Sequence, residues 1–233
     1  MTEHPLIMFV VFPLLGYVIG STPFGVLIAR AHGIDLRRAG SGNVGATNVG
    51  RAVGRPWGYL VFALDCIKGF LPVLAAGAML RGRAGFPTAA HQAAWLAVGC
   101  GTIIGHVLSF WLKFRGGKGV ATSLGVVMGV FPYFTYAGLA ALVIWLVVVL
   151  ASRYVSLASI VAAVAFLPLF VVFSLAMGWP VVGLWPLLAF AGAIAALIIV
   201  RHRGNIRRLL AGTENRIGSS GADAEQRPSA REG

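Results

Sequence analysis

Long apolar runs alternate along this chain with short, polar, glycine-rich stretches. A helix needs about 20 mostly apolar residues, with roughly 17 to 25 tolerated, to cross the hydrocarbon core of a bilayer. Runs of that kind lie near residues 6–29, 61–80, 92–112, 119–134, 137–151, 156–176 and 182–200. The fourth and fifth are short and close together. Pro132 between them favours a break, since one straight helix across both would far exceed a bilayer. The pattern predicts an all-α, polytopic integral membrane protein with about seven transmembrane helices. Five spans with re-entrant segments are the alternative. Residues 1–217 read as a single membrane domain, and 218–233, rich in Gly, Ser and Ala with mixed charges, as a disordered tail. Met1-Thr2-Glu3-His4-Pro5 lacks the basic start of a cleavable signal, so the first run is expected to stay as a span.

Composition removes the soluble alternatives. Hydrophobic residues make up 58% of the chain and charged residues only 11%. A soluble domain carries roughly a quarter charged residues, so a water-facing surface cannot be clothed. The two cysteines, Cys66 and Cys100, fall inside apolar runs without metal-ligand spacing. Neither a metal nor a cofactor is expected.

The balance of 19 Lys and Arg against 7 Asp and Glu gives a net charge of +12. In a soluble protein that excess would suggest nucleic acid. Here its placement gives another reading, and no nucleic-acid partner is expected. With the N-terminus outside, every basic residue except Lys68, Arg81 and Arg83 falls in the inside segments. The positive-inside rule therefore puts the C-terminus and all the polar, glycine-rich segments on the cytosolic face.

Three of those segments could carry chemistry. The first is Gly40-Ser41-Gly42-Asn43-Val44-Gly45-Ala46-Thr47-Asn48-Val49-Gly50-Arg51. Small residues expose backbone N–H groups, Ser41, Asn43, Thr47 and Asn48 add short polar groups, and Arg51 can grip a phosphate through two parallel hydrogen bonds. The second is Lys113-Phe114-Arg115-Gly116-Gly117-Lys118-Gly119. Glycines at a helix start let backbone donors and the positive dipole end meet an anion, and Lys118 adds a full charge. It is not a nucleotide P-loop: Leu112 stands where the first Gly belongs, and Gly119 follows the Lys. The third is Arg201 through Glu214. As a helix it would set His202, Asn205 and Leu209 on one face. His202 can move protons near neutral pH, Asn205 can hold a substrate oxygen, and Glu214 reads as a local partner of arginines.

Inside the spans, Asp65 and Lys68 are costly unless paired or near the interface. Their spacing allows a mutual pair; Lys68 reaching toward a bound phosphate is the competing reading. His106 reads as a helix-packing histidine.

Together these segments resemble the bacterial acyl-phosphate:glycerol-3-phosphate acyltransferases, the PlsY family. Gly20-Ser21-Thr22-Pro23-Phe24-Gly25, Asp35 through Arg51, Asp65-x-x-Lys68-Gly69, Lys113 through Gly119 and Arg201 through Glu214 carry the likeness. It spans most of residues 6–217, in order. The resemblance implies transfer of an acyl group from acyl phosphate to the 1-hydroxyl of glycerol 3-phosphate, giving lysophosphatidic acid and phosphate. It further implies that Ser41 and Arg51 are essential and His202 and Asn205 functionally important. Glu214 would be structural, and Gly116-Gly117-Lys118-Gly119 the glycerol-3-phosphate site. Asn43, Thr47, Asn48, Lys68 and Ser156 are counted with them as substrate-binding candidates. The expected partners are acyl phosphate, glycerol 3-phosphate and membrane lipids, and the expected state is a monomer.

Rival readings fit less well. No histidine is followed by the His-x-x-x-x-Asp pattern of the other large class of glycerolipid acyltransferases. CDP-alcohol phosphotransferases need several aspartates on one span, where Asp65 stands alone. A transporter or exchanger of small phosphorylated anions is the alternative of a different class. It calls for polar residues at mid-membrane, whereas the central runs are mostly Ala, Val, Leu, Ile and Phe.

Overall fold

The computed structural model describes residues 4–80 and 87–218. The described residues contain helices and no strand: α1 (Phe12–Gly20), α2 (Phe24–Ala31), α3 (Ala46–Ala52), α4 (Arg55–Leu80), α5 (Ala89–Val107), α6 (Val120–Gly129), α7 (Thr135–Ser152), α8 (Val155–Ala176), α9 (Trp185–Arg201) and α10 (Arg203–Leu210). Among the described residues six segments are long and apolar enough to cross a membrane: Ile7–Ala31, Arg55–Leu80, Ala89–Leu112, Thr135–Ser152, Val155–Ala176 and Val181–Arg201. Arg81 and Arg83, expected in an outside loop, and the tail beyond Gly218 lie outside the described residues.

Each predicted run is helical, but three differ in a way that shapes the site. The first breaks at Ser21-Thr22-Pro23 between α1 and α2. The freed carbonyls find donors: Ser109 Oγ reaches Ser21 O at 2.6 Å and Lys68 Nζ reaches Thr22 O at 2.8 Å. Irregular backbone at membrane depth persists only where such partners exist. The second run begins at Arg55 rather than near 61, which sets Asp65 and Lys68 more than a turn deeper into their helix than expected. The fourth yields only the ten residues of α6. At 1.5 Å per residue that is about 15 Å, half the hydrocarbon thickness.

Small residues bring α6 against the full-length α4. A side chain at Gly69 would strike the Thr122 carbonyl, and one at Gly125 the Cys66 carbonyl, so neither position accepts more than hydrogen. The main core centres on Phe134, whose ring packs edge-on against Phe166 and Phe170 at 5.1 and 4.8 Å between centroids. This anchors α7, α8 and the turn after α6.

Candidate active site

A cavity of about 600 Å³ is where the three polar segments meet. Ser41, Asn43, Thr47, Asn48 and Arg51 line it from the first, Lys118 and Gly119 from the second, and His202, Asn205, Arg208 and Glu214 from the third. Ser156, at the start of α8, completes the polar wall, while Tyr59, Phe62, Leu142 and Trp145 supply an apolar one. A smaller apolar recess shares Phe62, Val120, Leu142, Trp145 and Ser159 with it and runs on to Phe166, Ile194 and Ile198.

The first segment is a loop only to Gly45; from Ala46 it is helix α3, which the small and β-branched residues there did not signal. Thr47 and Arg51 therefore share a helix face, four residues apart. Asn48 is buried and fully used. Its Oδ1 accepts the Ser41 N–H at 2.9 Å, and its Nδ2 donates to the carbonyls of Leu36, Ala39 and Asn43 at 3.2, 3.0 and 2.8 Å. It shapes the loop from a place in the cavity wall. Asn43 Oδ1 accepts the Gly45 N–H at 2.9 Å. Ser41, Thr47 and Arg51 are exposed, and Arg51 makes a long 3.4 Å bond to the Asn215 carbonyl.

In the second segment the backbone groups of both glycines are engaged. Gly116 N–H and Gly117 N–H donate to the carbonyls of Val107 and His106 at 3.0 and 3.1 Å. Arg201 Nη2 caps the Gly117 and Gly116 carbonyls at 2.8 and 3.4 Å from the other side. Both glycines are thus consumed by scaffold, and neither lines the cavity. They are glycines for space: a side chain at Gly117 would collide with the His106 imidazole. Lys118 and Gly119 do reach the cavity. Gly119, at φ +87°, precedes α6, whose first residues Val120 and Ala121 also line the wall. The first-turn N–H groups of that helix have no intrahelical acceptor, so its positive end meets the cavity. Lys118 Nζ donates to Asn205 Oδ1. Burial, with Arg208, Arg51 and Arg201 nearby, lowers its pKa to about 8 against the raising effect of Glu214.

In the third segment α9 ends at Arg201 and α10 starts at Arg203, leaving His202 at the joint. His202 Nδ1 lies 2.7 Å from the Ile198 carbonyl. A carbonyl only accepts, so Nδ1 carries the proton and Nε2 is the acceptor of the neutral ring. Burial, then the Lys118 charge, lowers this imidazole to about 4. Glu214 is the hub of the segment: Oε1 accepts from Asn205 Nδ2 at 2.7 Å and Ser156 Oγ at 3.0 Å, and Oε2 from Arg208 Nε at 2.7 Å. Burial pushes its carboxyl up, but these hydrogen bonds and the Arg208 charge outweigh it and leave the group below its ordinary value.

Lys68 makes the mutual pair that its spacing allows. Its ammonium sits 2.6 Å from Asp65 Oδ1 and donates to the Thr22 carbonyl, and it does not line the cavity. The structure instead brings Asp65 and His106 to the wall, with Asp65 Oδ1 3.7 Å from His106 Nδ1. Sequence reading left Asp65 as the partner of Lys68 and His106 as a packing residue. The available signal was an aspartate deep in a span, where an isolated charge is expensive.

The glycerol-3-phosphate acyltransferase family profile matches residues 10–212. The chain is 46% identical over 205 residues to the glycerol-3-phosphate acyltransferase of Geobacter sulfurreducens, covering 87% of this chain and 94% of that one. It is 46% identical over 207 residues to that of Aquifex aeolicus, covering 88% and 96%. The fold is similar to the crystal structure of PlsY (YgiH), an integral membrane glycerol 3-phosphate acyltransferase, in its glycerol 3-phosphate form. That comparison has a TM-score of 0.75 and 40% identity and covers 93% of this chain and 98% of that chain. The lysophosphatidic acid form of PlsY gives a TM-score of 0.72 at 41% identity, covering 89% and 94%. With a profile match across most of the sequence and such identity over nearly the full length of its relatives, this integral membrane chain belongs to the glycerol-3-phosphate acyltransferase family.

Proposed function

We propose that this chain transfers an acyl group from an acyl phosphate to the 1-hydroxyl of glycerol 3-phosphate, at the cytosolic face of a bacterial cell membrane. The observation that carries this reading is one cavity that joins Arg51, Lys118 and Arg208 to an apolar recess between helices. Two phosphates and one acyl chain are the ligands that such a surface suits. The hydroxyl oxygen attacks the carbonyl carbon, the bond from that carbon to the phosphate oxygen breaks, and an ester and inorganic phosphate result. An acyl phosphate is already an activated anhydride, so no protein nucleophile is required. Catalysis rests on positioning and on donors facing the developing negative charge.

Arg51 and Lys118, with the amino end of α6, hold the phosphates, and Ser41, Thr47 and Asn43 stand beside them as short polar partners. Lys118 and Glu214 fix the Asn205 amide. His202 acts as a neutral acceptor that orients the hydroxyl. With its imidazole lowered to about 4 it is a weak base, so the hydroxyl proton passes to a substrate phosphate. Ser156 contributes through Glu214. The N-terminus is outside and the C-terminus cytosolic, with α6 and the turn after it (residues 119–134) together making the seventh crossing.

The donor is tested by giving purified protein labelled glycerol 3-phosphate with palmitoyl phosphate, or with palmitoyl-CoA. Labelled lysophosphatidic acid formed from the acyl phosphate supports the reading. Product formed only from the thioester overturns the assignment of the donor.

A further inference from the structure

Helix α5 has 19 residues. At 1.5 Å per residue that is about 28 Å, close to the roughly 30 Å of a hydrocarbon core. The chain that follows therefore leaves the core at the end of the bundle where Lys118 lines the cavity. In residues 110–115 that emerging chain carries its largest side chains outward. Trp111 is 64% exposed and Phe114 61%, and Phe110 packs on Trp111 with 4.4 Å between ring centroids. Lys113 and Arg115 are exposed beside them, and among the described residues neither forms an ion pair. Arg37 adds a third cation, donating to the Leu112 and Arg115 carbonyls at 3.4 and 3.1 Å.

The segment is held in this shape. Lys113 and Phe114 have φ of 52° and 60°, a left-handed backbone that bulky residues rarely adopt. Such a backbone persists only where the surroundings over-determine it. Here the Ser109 carbonyl accepts the Phe114 N–H at 2.8 Å, and the Val107 carbonyl accepts the Gly116 N–H at 3.0 Å. Ser109 Oγ donates to the Ser21 carbonyl at 2.6 Å, and the Tyr17 hydroxyl to the Leu108 carbonyl at 3.0 Å. We propose that residues 110–115 dock onto an anionic phospholipid headgroup layer. Trp111 and Phe114 sit among the upper acyl carbons, and Lys113 and Arg115 lie on the headgroup phosphates. Aromatic rings favour that depth, and clustered cations draw anionic lipid to it. An acidic protein would also suit the cations, but the length of α5 sets the rings at the bilayer surface. The docked segment runs directly into Gly116-Gly117-Lys118, so the headgroup layer fixes the depth of the loop that carries Lys118. The inference is independent of which acyl donor is used.

The test places the protein in nanodiscs of equal parts phosphatidylglycerol and phosphatidylcholine. One lipid or the other is brominated on the acyl carbons near its headgroup, where bromine quenches a neighbouring indole. The emission of Trp111 is taken as the difference between the unaltered protein and Trp111→Phe, which keeps a ring at that position. Quenching of Trp111 should be at least about twofold stronger when the bromine is on phosphatidylglycerol. Lys113→Gln with Arg115→Gln changes only exposed side chains and should bring the two labels to equal quenching. Salt at about 1 M should do the same in the unaltered protein, because charges at the surface are then screened within about 3 Å. Trp111 emission that neither label quenches places these rings in water or against a protein and overturns the inference. Equal quenching by both labels in the unaltered protein overturns the preference for anionic lipid. A preference that survives both the double substitution and high salt overturns its assignment to Lys113 and Arg115.

Discussion

The Lys118 ammonium donates a hydrogen bond to the side-chain carbonyl of Asn205. That bond joins the loop before α6 to helix α10, and the amide of the same Asn205 binds Glu214 at 2.7 Å. Two polar segments far apart in sequence are thereby one site, with the cation held in position before any substrate arrives. Pre-set cations of this kind favour developing negative charge without reorganisation at the moment of reaction.

Arg51 is exposed on α3, and its bond to the Asn215 carbonyl is long at 3.4 Å. Little of the fold depends on it, while its fork suits a phosphate. Arg51→Ala should lower kcat/KM at least about 10³-fold. Its thermal unfolding, followed on the purified protein, should stay within about 2 °C of the original. Full activity would remove the phosphate grip from this residue.

Gly117 does not line the cavity, yet a methyl group there strikes the His106 ring. Gly117→Ala should therefore raise the KM for glycerol 3-phosphate about tenfold while changing kcat less, because it tilts the loop that carries Lys118. An unchanged dependence on acceptor concentration would place the acceptor away from this loop.

Lys118 has its pKa lowered to about 8, first by burial. Its ammonium is therefore present below that pH and lost as pH rises through it. The kcat/KM for glycerol 3-phosphate should fall as pH rises through about 8. Lys118→Arg keeps the charge at high pH and should move the decline upward. A basic limb that stays at the same pH in that variant would assign it to another group.

Glu214 accepts from Asn205, Ser156 and Arg208. Glu214→Gln loses the charge and turns one acceptor into a donor facing donors. The unfolding temperature in detergent should drop by at least about 5 °C, with activity falling alongside it. Unaltered unfolding would mean that the three donors find other partners.

The spans and the polar segments were legible because each depends on local composition: apolar runs of crossing length, and clusters of Gly, Ser, Asn and Arg between them. Ser41, Arg51, Lys118, His202 and Asn205 reach the cavity as those segments suggested. What stayed hidden depends on contacts between distant residues. Nothing around Gly116 and Gly117 signals that the end of α5 and Arg201 consume their backbone groups. Lys68 looks available until the break at Ser21-Thr22-Pro23 supplies a carbonyl that needs it. Asn48 resembles a ligand group because the four chain positions it ties together are spread from Leu36 to Asn43. Asp65 and His106 lie on different helices, and only the packing of α5 beside α4 makes them neighbours.

The most direct measurement is phosphate release by the purified protein given palmitoyl phosphate, with and without glycerol 3-phosphate. Acyl transfer predicts release that requires both substrates and yields one lysophosphatidic acid for each phosphate. Release independent of glycerol 3-phosphate, or none at all from folded protein, would contradict it.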